Sequence, residues 1–79
     1  MKEPPTFAQR VAAGIERELR RRKPPHNTRY WLARASGVPQ SSISKIEKGR
    51  QRNVDGQNAL DLAHALGVSL SRLIADEEL

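Results

Sequence analysis

Residues 28–49 read TRYWLARASGVPQSSISKIEKG and hold two short helical patterns on either side of a turn. The first pattern is closed by Gly37, a residue type that tolerates a positive φ angle. The second pattern covers about residues 40–48 and carries the apolar pair Ile43 and Ile46 on one side. The stretch therefore predicts a short helix, a sharp turn and a second short helix, which we call helices 2 and 3.

Three further helices are predicted outside that stretch. Helix 1 covers about residues 7–22, where apolar side chains recur every four positions after the N-cap Thr6, and Pro24-Pro25 end it. Asp55 offers an N-cap for helix 4, and Ser69 offers one for a short helix 5. Helix 2 itself has two candidate N-caps, Asn27 and Thr28.

No segment alternates apolar and polar residues over the length of a strand, so we expect an all-α chain of five helices. A chain of 79 residues has room for one domain. The expected organisation is a flexible N-terminal arm at residues 1–6, one domain at residues 7–75, and an acidic tail at residues 76–79.

The charge of the chain is unevenly distributed. Residues 1–53 hold thirteen basic and four acidic side chains, a balance of +9, whereas residues 54–79 hold one basic and five acidic side chains, a balance of −4. This distribution favours a nucleic-acid backbone as the partner of the N-terminal two-thirds. A membrane surface is a weaker candidate, because the chain has only three aromatic residues to serve as anchors.

The composition also argues against several classes of chemistry. The absence of cysteine excludes disulfides and thiolate nucleophiles. His26 and His64 lie far apart in the sequence, without an acidic residue at ligand spacing, so we expect no metal site. The serines cluster at turns and helix starts, where capping explains them. We therefore expect no enzyme activity, no catalytic residues and no cofactor.

The exposed side of helix 3 has the properties of a surface that reads DNA bases. Its side chains are short or flexible and polar, which lets a helix approach base edges in the major groove. The residues concerned are Gln40, Ser41, Ser44 and Lys45.

Residues 28–49, together with LAHALGVSL at residues 62–70, resemble the lambda repressor and Cro-like helix-turn-helix family, also called the Xre family. The resemblance covers about residues 7–74 and implies a five-helix DNA-binding domain whose helix-turn-helix is formed by helices 2 and 3. It implies that Gln40, Ser41, Ser44 and Lys45 read bases. The residues implied to bind phosphates are Thr28, Arg29, Ser42, Lys48, Arg50 and Arg52. Arg29 stands where the family has a glutamine.

The resemblance further implies a structural ion pair. The family pairs the glutamate at the position of Glu47 with an arginine near the end of helix 1, which makes Arg20 the expected partner and Arg22 the alternative. A homodimer on a two-fold related operator is also implied. The apolar residues available for its C-terminal interface are Leu70, Leu73, Ile74 and Leu79.

Some side chains have a simpler interpretation than DNA contact. Tyr30 and Trp31 are expected to pack against helix 1 or the Pro24-Pro25 bend, although stacking on exposed bases is the alternative. Arg34 is interpreted as a solvated charge, because helix 2 crosses the DNA backbone without entering the groove.

These observations predict a sequence-specific regulator of transcription, a repressor or Cro-like protein, that binds double-stranded DNA. Its expected location is the bacterial cytoplasm and nucleoid or a phage-infected host. One rival interpretation is an antitoxin or anti-regulator whose main task is to bind a protein partner. The other is non-specific binding to nucleic acid through charge alone.

Overall fold

A computed structural model of the chain describes residues 5–48 and 54–75. Within these ranges the chain forms five helices and no strand, which confirms the all-α prediction. None of these helices combines the length and apolar content needed to cross a bilayer. The helices are α1 (Phe7–Arg20), α2 (Arg29–Ser36), α3 (Gln40–Glu47), α4 (Gly56–Ala65) and α5 (Leu70–Leu73).

The apolar stripe of α1 forms one side of the core. Val11, Ile15 and Leu19 are buried, as their spacing of four residues predicts for one face of a helix. Thr6 caps the helix in a reciprocal pair with Gln9, in which each backbone N–H donates to the other residue's side chain. The helix ends at Arg20, two residues before the expected end, because the chain turns ahead of the two prolines, where helical backbone is disfavoured.

The pair α2 and α3 has the predicted helix–turn–helix form. Thr28 is the N-cap of α2, and its hydroxyl accepts a hydrogen bond from the backbone N–H of Trp31 at 3.1 Å. Gly37 ends α2 with a φ of 80°, which an L side chain rarely adopts. Val38 in the turn and Ile43 on α3 are buried, so the turn itself is anchored in the core.

The two remaining helices complete the domain around that core. Asp55 caps α4 and Ser69 caps α5, as the sequence predicts. Helix α1 packs against α3 and α5, while α2 packs against α3 and α4. Leu62 and Leu66 at the end of α4 are fully buried between these layers.

The contact between α1 and α5 is unusually close. A Cβ atom added at Gly14 would lie 2.1 Å from the backbone oxygen of Leu73 and 2.8 Å from its Cδ1. Leu73 is 0% exposed, so its assignment to a dimer interface is wrong: the side chain is used to hold α5 on α1. Leu70 and Ile74 are half-buried against the core, and Leu79 lies outside the described residues.

Arginines of α1 and its C-terminal extension satisfy the carbonyl groups that helices leave unpaired at their C-termini. Arg17 donates to the backbone oxygen of Arg72 at 3.0 Å. Arg10 donates to that of Ile74 at 3.5 Å, and Arg22 donates to that of Leu66. Part of the basic charge in the N-terminal two-thirds therefore serves the fold rather than an external partner.

Candidate nucleic-acid interface

Helix α3 divides sharply into a buried side and an exposed side. Ile43 and Ile46 are 0% and 1% exposed and face the core. The four residues predicted to read bases fall at helical spacing on the other side, where Gln40, Ser41 and Lys45 are exposed and Ser44 is half-buried. The fold thus brings all four together on one polar surface.

The residues predicted to bind phosphates differ in their exposure to solvent. Lys48, the C-cap of α3, is exposed, and Ser42 in the first turn of α3 is half-buried. The hydroxyl of Thr28 already has two partners within the chain, since it accepts the backbone N–H of Trp31 as the cap of α2 and donates to the backbone oxygen of Pro25 at 3.5 Å. Arg50 and Arg52 lie outside the described residues.

Arg29 and Glu47 form a forked ion pair that connects the start of α2 to the end of α3. The Arg29 Nε donates to Oε1 and Oε2 of Glu47 at 3.0 and 3.2 Å, and Nη2 donates to Oε2 at 2.7 Å. The Arg29 side chain is 39% exposed and that of Glu47 is 20% exposed. Hydrogen bonding to Glu47 raises the pKa of Arg29 above its ordinary value, with a further contribution from the nearby charge of Glu16.

The expected partner of Glu47 is therefore wrong. Arg20 instead donates to Glu16 one turn earlier on α1, at 2.8 Å, and this pair is largely solvated, with side chains 76% and 50% exposed. The alternative, Arg22, is occupied at the C-terminus of α4. Arg29 pairs with Glu47 because it is the first residue of α2 and lies beside the end of α3. Its planar guanidinium can bind both carboxylate oxygens there.

The two neighbouring aromatic residues of α2 have different environments. Trp31 is half-buried, with the Arg22 guanidinium carbon 5.4 Å from its ring centroid and the His26 ring 5.2 Å away. The packing interpretation therefore fits Trp31. It does not fit Tyr30, which is 61% exposed and carries the Arg34 guanidinium over its ring.

The described residues hold no cluster of three or more His, Cys, Asp or Glu side chains that could bind a metal ion. His26 is engaged with Trp31 instead. The chemistry available on the polar side of α3 is hydrogen bonding by an amide, hydroxyls and an ammonium group. These are the groups that recognise base edges and phosphate oxygens.

Comparison with protein-family models matches residues 17–73 to a family described as helix-turn-helix. The match begins near the end of α1 and includes the whole of α2, α3, α4 and α5, more than two thirds of the chain. No curated protein and no solved structure matches this chain.

Proposed function

Because the chain belongs to the lambda repressor/Cro-like helix-turn-helix family of DNA-binding transcription regulators, we propose that it is a sequence-specific repressor. In this proposal α3 enters the major groove of double-stranded DNA, and two copies of the chain bind a two-fold related operator. No cofactor takes part.

The observation that carries the proposal is the polar surface of α3. Gln40, Ser41 and Lys45 are exposed on it, while Ile43 and Ile46 anchor the helix from behind. A glutamine amide suits the N6 and N7 edge of adenine, and a lysine suits the O6 and N7 acceptors of guanine. We assign base contacts to these three residues and to Ser44, which lies among them.

The residues at either end of the helix pair are assigned to the DNA backbone. Thr28 and Arg29 begin α2, where backbone N–H groups and the helix dipole favour an anion. Ser42 and Lys48 flank the polar surface on α3, and Arg50 and Arg52 follow it in the sequence. These contacts fix the orientation of the helix without selecting a sequence.

Dimerisation is proposed because one recognition helix contacts only a few base pairs. Two helices related by a two-fold axis meet the same face of the duplex when their half-sites lie about 34 Å apart, one turn of DNA. Leu70 and Ile74, half-buried beside the C-terminal end of the chain, are the described apolar residues that we assign to the interface.

Selection of binding sites from random duplex DNA tests this function. We expect an enriched motif made of two inverted half-sites with centres about 10 base pairs apart. A pool that stays random under conditions in which the protein retains DNA would contradict sequence-specific recognition and support binding through charge alone. A motif consisting of one half-site would contradict the dimer while leaving the base-reading surface intact.

A further inference from the structure

A shallow, open cleft lies between α2 and the start of α3, next to the proposed base-reading surface. The apolar residues that line it include Ala33, Val38 and Pro39. Tyr30 and Arg34 of α2 and Gln40, the first residue of α3, also line it. None of the described residues that line the cleft is acidic.

Tyr30 and Arg34 form a stacked pair on the outer side of α2. They are one helical turn apart, and the Arg34 guanidinium carbon lies 5.8 Å from the centroid of the tyrosine ring. A guanidinium over an aromatic face is held in position while keeping its full charge and the N–H donors at its edge. Tyr30 is the most exposed large apolar side chain of the described ranges, so the pair stands open to solvent.

The environment of Arg34 differs from that of three other arginines in the described ranges. Arg29 is paired with Glu47, Arg20 with Glu16, and Arg22 with the backbone oxygen of Leu66. Among the residues that the structure describes, no carboxylate forms an ion pair with Arg34. Its charge is therefore available to an external anion.

We propose that this cleft receives one strand of the DNA backbone, with Arg34 contacting a phosphate beside the base pair that Gln40 meets. The inference rests on the proposed function, since Gln40 must first lie at the major groove. A deoxyribose would then pack on the apolar lining of the cleft at Pro39. The role of Arg34 changes accordingly, from a solvated charge to a group that positions α3 on the duplex.

Binding measured over a range of salt concentrations tests the proposal with full-length protein and one fixed duplex. Each phosphate contact contributes about 0.9 to the slope of log K against log salt. Because the proposed dimer carries two copies of Arg34, we expect the slope for Arg34→Gln to fall by about 1.8 and binding at physiological salt to weaken about 25-fold. The matched control is Arg72→Gln, which removes the same charge from α5, a helix that packs on α1 and α4.

Unchanged binding by Arg34→Gln, or an equal loss for Arg72→Gln, would overturn the inference. These results are distinct from failure of the proposed function, in which the wild-type protein selects no sequence. As a second measurement, single phosphates of the duplex are replaced by uncharged methylphosphonates. We expect one position in each half-site at which the replacement weakens DNA binding by the wild type but not by Arg34→Gln. A variant as sensitive as the wild type at every phosphate would also overturn the inference.

Discussion

The carboxylate of Glu47 limits how strongly Arg29 can bind a phosphate. Two of the three guanidinium nitrogens bind Glu47, so a phosphate at the start of α2 must share the arginine with that carboxylate. The pair is also partly solvated, which makes it weaker than a fully buried ion pair. Glu47 therefore joins α2 to α3, and it reduces the net positive charge that Arg29 offers to the proposed phosphate.

We expect Glu47→Gln to lower the free energy of unfolding by about 1–2 kcal/mol, because the forked charge-assisted bonds become weaker neutral ones. We also expect the substitution to strengthen binding to duplexes of any sequence by about two- to fivefold. The reason is that it removes a negative charge beside the proposed contact between Arg29 and a DNA phosphate. Urea unfolding and binding titrations measure the two effects.

Glu16→Gln is the control for the stability effect, since it breaks the solvated pair with Arg20 and should change the unfolding free energy by less than about 0.5 kcal/mol. Weaker DNA binding by Glu47→Gln would contradict the prediction, and would mean that Glu47 orients Arg29 on the phosphate instead of competing with it.

At the scale of the helices, the sequence predicts where most elements begin but not how they are held together. Thr6, Asp55 and Ser69 cap the helices for which they were expected, because a cap is recognised from a few adjacent residues. The partners of Arg20 and Glu47 were mispredicted, since an ion pair between helices depends on their relative placement. The only sequence signal for Arg29 was that it departs from the glutamine expected at its position.

Contacts from side chains to backbone carbonyls are equally difficult to predict from the sequence. Arg10, Arg17 and Arg22 bind oxygens at the ends of α4 and α5, and any residue type can supply such an acceptor. The burial of Leu73 was missed for a related reason: its apolar character suits a core and an interface alike. The complete burial of Leu73 and the close approach of α5 to Gly14 decide between the two.

We expect Gly14→Ala to destabilise the domain by about 1–3 kcal/mol, because the added methyl group meets the Leu73 backbone and α5 must shift. This outcome is opposite to the gain that alanine usually gives inside a helix. Gly56→Ala is the control, since a Cβ there meets nothing within 4 Å and should leave stability unchanged or raise it by up to about 1 kcal/mol. Thermal unfolding that ranks Gly14→Ala above the wild type would contradict the close packing of α1 and α5.

Over the whole molecule, the basic charge divides between internal and external tasks. The +9 balance of residues 1–53 predicts a polyanion partner, yet several of these cations are bound to carbonyls or carboxylates of the same chain. The exposed lysines of α3, Lys45 and Lys48, carry charge on the side that faces away from the core. We therefore assign sequence selectivity to α3 alone. The role that we propose for the remaining exposed charge is to position α3 on the DNA backbone.

Base preference measured for single-residue variants tests this account most directly. Wild-type protein, Lys45→Ala and Lys48→Ala are titrated against the selected site and its single base-pair variants. We predict that Lys45→Ala loses about 1–3 kcal/mol of discrimination at one base pair per half-site, whereas Lys48→Ala weakens binding to every duplex by the same factor. If both variants weaken all duplexes alike and keep the wild-type preference, α3 does not read the sequence through Lys45 and the account is contradicted.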